Sequence, residues 1–206
     1  MIVVHHLNDS RSQRILWLLE ELGQPYEIKQ YQRDATTRLA PPELKAVHPL
    51  GKAPVMTDGG LTLAESGAVV DYLIRHHGQG RLQPASGSPD YEPYLQWLHY
   101  AEGSAMLPLM LRLYVGRLGA AGAPLAPRIA SELENHLGYV DRSLQGREWL
   151  MGGALTGADI QMSFVGEAAR DLRAGYANIN AWVKRFQARP AYRKALERGG
   201  PYALLA

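Results

Sequence analysis

Two short stretches hold residue types from which a site for a small charged peptide could be built. In His48-Pro49-Leu50-Gly51-Lys52-Ala53-Pro54-Val55-Met56, a lysine stands two residues before a proline at the mouth of an apolar run. Proline has no N–H to give to a sheet ladder, so it sits at the start of a strand or at its edge. The backbone N–H and C=O of Ala53 are then candidates for pairing with an extended peptide. Cis bonds are uncommon even before proline, so the residues alone favour a trans Ala53-Pro54. The second stretch, Leu63-Ala64-Glu65-Ser66-Gly67, opens a helical run. Ser66 offers a carboxylate its hydroxyl and N–H at the positive end of a helix. Glu65 suits an ammonium group, and Lys52 a second carboxylate. The set matches a zwitterionic peptide with one amine and two carboxylates. Taken singly, the same residues read as an ordinary helix cap and a surface lysine.

Asn8-Asp9-Ser10-Arg11-Ser12 brings hydroxyls to the start of another helical run. A thiol placed there would be pulled towards its thiolate. Lowering a pKa from about 8.5 by two units takes roughly 2.7 kcal/mol of preference for the anion. One hydroxyl donor and a helix terminus supply much of that. The plainer alternative is that Ser10 and Ser12 only cap the helix. The chain has no cysteine. Any thiol must therefore arrive with a ligand, and disulfides and cysteine–zinc sites are excluded.

Positioning these residues requires a particular order of elements. Residues 2–6 are β-rich and end in a turn. Ile15, Leu16, Leu18, Leu19 and Leu22 recur at helical spacing, with Gly23 as the stop. Residues 26–31 alternate as a strand, and Pro41-Pro42 open a short helix through Val47. Val55-Met56 and Leu61-Thr62-Leu63 flank Asp58-Gly59-Gly60 as a hairpin, and residues 65–77 form a helix. A right-handed crossover makes the first two strands parallel, with the hairpin added to the same sheet. Residues 79–89 are rich in Gly, Pro and Ser and read as a linker. Helical periodicity follows over 91–118, 127–144, 179–188 and 191–198. Thr156 and Asp159 form a capping box at a further helix start, with Leu155 and Ile160 as a hydrophobic staple.

The 206 residues are 46% apolar and carry a formal net charge of +2. No Lys/Arg run suggests nucleic-acid binding. No signal peptide and no membrane-spanning run stand out, so a cytoplasmic location is expected. The seven histidines match no zinc spacing, and residues 78–83 lack the third glycine of a dinucleotide fingerprint. Trp17, Trp97, Trp149 and Trp182 read as core aromatics. Met106, Leu107, Met110 and Tyr114 lie at helical spacing, a stripe that is most often core.

In combination and order, these motifs resemble a cytosolic glutathione S-transferase of bacterial or fungal type and serine-like subgroup. The likeness covers nearly the whole chain. NDSRSQRILWLLEELGQPYEI resembles the first strand-helix-strand, HPLGKAPVM the cis-proline loop, LAESGAVVDYL the Glu-Ser motif and LTGADIQMSF the buried capping box. The implied fold is α/β plus all-α. A thioredoxin-like glutathione domain (1–78) and a linker (79–89) precede an all-α domain with an electrophile pocket (90–206).

The resemblance also implies site roles. Ala53 precedes a cis proline and pairs with the cysteinyl part of glutathione. Glu65 and Ser66 hold the γ-glutamyl end, and Lys52 the glycyl carboxylate. Ser10 activates the thiol, with Asn8, Asp9 and Ser12 as alternatives. Met106, Met110 and Tyr114 line the electrophile pocket. The tyrosine and cysteine activators of other subgroups are missing from the turn. The expected protein is a homodimeric transferase in detoxification, with glutathione as co-substrate, an apolar electrophile and no metal. A glutathione-dependent peroxidase or disulfide reductase, or a non-catalytic glutathione- or hydrophobe-binding protein, are the alternatives.

Overall fold

The computed structural model describes residues 1–205. Its elements are strands β1 (Ile2–Leu7), β2 (Tyr26–Tyr31), β3 (Val55–Asp58) and β4 (Leu61–Ala64), and helices α1 (Ser12–Leu22), α2 (Glu43–Val47), α3 (Ser66–His77), α4 (Tyr91–Tyr100), α5 (Met106–Gly116), α6 (Ala126–Ser143), α7 (Gly157–Ala168), α8 (Ala177–Gln187) and α9 (Pro190–Gly199). By packing, they divide into two units. One is Met1–Gln83 together with the chain from Phe186 onward, and the other is Pro84–Arg185.

The first unit is built on a four-stranded sheet in the order β2-β1-β3-β4. β1 and β2 are parallel, and the β3–β4 hairpin adds antiparallel to β1, as the crossover argument requires. Gly59, at φ 57°, supplies the left-handed residue of the two-residue turn.

α1 is buried on nearly every side: Ile15, Leu16, Trp17, Leu18 and Leu19 are all fully buried. The reason is that it packs against β1, α3 and α9. The Trp17 ring stacks on Phe186 at 5.3 Å and meets Tyr192 edge-on at 5.4 Å. Charge ties the same helices at the rim. Glu20 accepts from Lys194 at 2.7 Å, and from Arg198 and Tyr26 at 2.8 Å each. Burial raises the Glu20 carboxyl, but these donors outweigh it and hold it below its ordinary value.

The second unit is helical. The expected helix over 91–118 is interrupted: Ala101–Ala105 makes a π turn between α4 and α5. One inserted residue barely disturbs apolar periodicity, so the pattern does not reveal it. The capping box forms as expected, at the start of α7. Asp159, fully buried, accepts from Leu150 N–H at 2.8 Å, Thr156 N–H at 3.0 Å, Thr156 Oγ1 at 3.1 Å and Trp182 Nε1 at 3.0 Å. Burial pushes its carboxyl up to about 6, and the four donors keep it from rising further. It is therefore ionised at neutral pH. Asp159→Ala strands four buried donors, and we expect it to lower unfolding stability by about 3 kcal/mol, read as a lower urea midpoint with an unchanged m value.

Candidate functional site

Strand register gathers the candidate residues. His5 pairs with Val55 across β1 and β3, and Val55 pairs with Ala64 across β3 and β4. The turn after β1, the loop before β3 and the residues after β4 therefore meet at one end of the sheet. These are residues 8–11, Lys52-Ala53-Pro54 and Glu65-Ser66. α1 and α3 both begin at this end, which adds two positive helix termini.

The Ala53-Pro54 bond is cis, against the residue-level expectation and in line with the family resemblance. β3 starts at Val55, so the Ala53 backbone lies outside the ladder. Lys52 is exposed and Ala53 half-buried beside it.

Glu65 is not an ordinary cap. It occupies the N-cap position of α3 at φ 66° and ψ 114°, and its side chain makes no capping bond. A non-glycine residue held there costs on the order of 1–3 kcal/mol, which persists only where the surroundings impose it. The conformation leaves the exposed carboxylate uncommitted to its own helix. Next to it, Ser66 is buried, and its hydroxyl accepts from Arg14 Nη2 at 2.9 Å. Arg14 is itself only 2% exposed, so a buried guanidinium joins the start of α3 to α1.

The turn after β1 is braced from outside. Asn8 Oδ1 accepts the Arg33 N–H at 2.8 Å, and the Asn8 carbonyl accepts from Arg33 Nε at 3.0 Å. Asp9, at φ 50°, accepts from Arg38 Nη2 at 2.9 Å and from the Ala203 N–H at 2.8 Å. Neither serine is the cap residue of α1. That position is Arg11, whose side chain does not cap the helix. Instead Ser10 Oγ lies 2.7 Å from Ser12 Oγ, which lies 2.8 Å from His6 Nδ1. Ser12 is fully buried, while Ser10 keeps 4% of its surface. Burial, with contrary pulls from the Gly199 backbone and from Asp9, brings the His6 imidazole down to about 4.

In the helical unit the structure places Met106 inside the bundle, Met110 half-buried and Tyr114 exposed. A cavity of about 580 Å³ lies further along α5, walled by Val115, Ile129, Leu133 and Leu137 with Arg112 and Glu134 among its polar groups. None of the three stripe residues lines it. Among the described residues, no group of three or more His, Cys, Asp or Glu could hold a metal ion, and no helix is long and apolar enough to cross a membrane.

Comparison with known proteins decides the family. Residues 1–75 match the model of the glutathione S-transferase N-terminal domain, and residues 104–190 that of the C-terminal domain. The chain is 36% identical over 215 residues to glutathione S-transferase 3 of Schizosaccharomyces pombe, covering 96% of this chain and 88% of that protein.

The chain belongs to the glutathione S-transferase family.

A solved glutathione S-transferase of Actinobacillus pleuropneumoniae superposes with a TM-score of 0.91 at 38% identity, covering 99% of this chain and 95% of that one. A glutathione transferase family member of Pseudomonas fluorescens, solved with two glutathione bound, has a TM-score of 0.80 at 29% identity, with 95% and 92% covered. The fold expected of the sequence, a thioredoxin-like domain with a helical C-terminal domain, is that of the glutathione S-transferases.

Sequence reasoning missed the roles of Arg14, Arg33 and His6. A charged residue inside the apolar run of α1 and a histidine pair inside a strand were the available signals, since such residues are seldom buried without partners.

Two outcomes test this geometry. Glu65→Gly should keep the stability of the parent, read as an unchanged urea midpoint, because glycine adopts φ 66° freely. Stability should also fall with acid. Unfolded His6 titrates near 6.5 and folded His6 near 4. The contribution is complete above 6.5 and is lost as the pH drops through 4, because the unfolded chain takes up the proton first. From pH 7 to pH 5 the His6 share of this loss is about 2 kcal/mol, partly offset by Asp159, whose raised carboxyl takes up its proton in the folded state first; urea unfolding of His6→Asn should lack the His6 share.

Proposed function

We propose that the chain binds reduced glutathione at this end of the sheet, stabilises its thiolate with Ser10, and directs it at an apolar electrophile held by the helical unit. In this reading glutathione is a co-substrate. The Ala53 backbone pairs with its cysteinyl part, Lys52 with the glycyl carboxylate, Glu65 with the α-ammonium and Ser66 with the α-carboxylate. Catalysis is positioning plus stabilisation of the sulfur anion by a hydroxyl and two helix termini.

The observation that carries the reading is the difference among the four candidates at the turn. Asp9 is an acceptor engaged with Arg38 and Ala203, and its charge opposes a thiolate. The Asn8 amide is oriented by Arg33, with its Nδ2 towards Asp9 at 3.4 Å. Ser12 has no exposed surface, and Ser10 combines a hydroxyl with some. On this reading the chain is of the serine-like subgroup.

The electrophile site is assigned to α5, where Met110 and Tyr114 offer adaptable apolar surface and the neighbouring cavity offers room. A homodimer is proposed from the resemblance to the family. A cytoplasmic role in detoxification fits a chain that takes its thiol from reduced glutathione.

Titrating the ultraviolet absorbance of bound thiolate tests the assignment. Ser10→Ala should raise the bound thiol's pKa and cut kcat at least tenfold, with glutathione affinity kept within a few-fold. Lys52→Ala should do the reverse, raising KM with little change in kcat. A wild-type protein that saturates with glutathione and never forms thiolate would favour a binding protein over a transferase.

A further inference from the structure

Asp9 is a costly neighbour for Ser10. A carboxylate beside the sulfur opposes a thiolate, and the Asp9 backbone is held at φ 50°. Asparagine adopts left-handed backbone as readily and carries no charge. What the carboxylate alone provides is two acceptors. Oδ2 accepts from Arg38 Nη2 at 2.9 Å, and Oδ1 accepts the Ala203 N–H at 2.8 Å. An asparagine accepts one of these donors and turns its own NH2 against the other.

The two donors come from distant parts of the chain. Arg38 lies in the loop after β2. Arg33 ties that loop to the turn as well, donating to the carbonyls of Asn8, Arg38 and Asp9. Ala203 belongs to the segment beyond α9. The chain leaves that helix through Gly200 at φ 84°, a conformation that favours glycine. Tyr202 is then buried, Ala203 exposed and Leu204 half-buried.

Sheet order separates this cluster from the peptide subsites. In the order β2-β1-β3-β4, Lys52, Ala53, Glu65 and Ser66 adjoin β3 and β4, on one side of β1. The loop after β2 is on the other side. A sulfur at Ser10 lies between them, so an electrophile arriving away from the peptide meets the Asp9 cluster. One aspartate side chain and one peptide unit set the reach from Ser10 Oγ to the Ala203 nitrogen, roughly 12 Å at most. A methyl-sized electrophile stays clear of the segment, and a bicyclic aromatic does not.

We propose that Asp9 is a positioning residue that determines electrophile size: its carboxylate clasps the C-terminal segment to the loop after β2, and the segment so held limits the bulk that reaches the sulfur. This rests on the reading that Ser10 meets the sulfur. Asp9 does not activate the thiol. Its charge works against ionisation, and the clasp is what its two oxygens supply in return.

Methyl isothiocyanate and 1-naphthyl isothiocyanate test this. The thiolate adds to the central carbon of either, the nitrogen takes a proton from water, and no group leaves. The ratio of the two protein-dependent rates, naphthyl over methyl, cancels any change in how far the sulfur is ionised. Ala203→Pro removes the N–H and no charge. It should raise the ratio about tenfold, with the bound thiol's pKa unchanged. Asp9→Gly keeps the left-handed turn and loses both bonds. It should raise the ratio as much, with both rates higher because the opposing charge is gone. A ratio that stays at the wild-type value in either variant overturns the proposal, and one variant decides should the other fail to fold. An Ala203 amide that exchanges hydrogen in the wild type as fast as unprotected chain also overturns it. Titration of bound glutathione in Ser10→Ala separates the two readings. If it shifts the thiol while the ratios do not move, only the role of Asp9 fails. If it titrates like the wild type, the assignment of Ser10 fails as well.

Discussion

His5 faces Val55 and Val55 faces Ala64, and the rest of the site follows from that register. A slip of one residue in either pairing would exchange the two faces of a strand. Val4 and Met56, both fully buried and paired with each other, would then face away from the core. The apolar pattern therefore locks the register, and the register places three separate loops side by side. None of the polar residues at the site has to provide the energy for its own placement. This is why an exposed lysine, a strained glutamate and a half-buried alanine persist in one small area.

Around that end the bracing is mostly by donors reaching inward. Arg14 reaches Ser66 from one helix to the next, and Arg33 closes the turn after β1 through Asn8. Both guanidiniums supply several N–H groups in a fixed plane, which suits holding backbone and side-chain oxygens at once. Two helix termini then add positive potential without placing another side chain in the site.

Much of this was legible before any coordinates. Apolar spacing marked β1, α1, β2 and α3, while Pro41-Pro42 marked the short helix and Asp58-Gly59-Gly60 the hairpin. The Thr156–Asp159 box was legible because its spacing carries its own mechanism. Other features were not. Ser10 and Ser12 look like caps, since residue type cannot tell a hydroxyl aimed at its own helix from one aimed at a histidine six residues back. The π turn at Ala101–Ala105 leaves apolar spacing almost intact. Gly199 carries no signal in the sequence beyond following a helical run; only the approach of His6 and Gln13 from other elements gives it meaning.

The segment from Phe186 onward packs with the first unit although about a hundred residues separate them in the chain. This has a consequence for synthesis on the ribosome. Pro84–Arg185 is contiguous and can close as soon as it has emerged. The sheet unit is begun first, but one side of α1 stays uncovered until Phe186 and Tyr192 have been made. The unit with the earlier residues is thus the later to be finished. During that interval Trp17 and its neighbours present an apolar surface, the kind of exposure that chaperones shield.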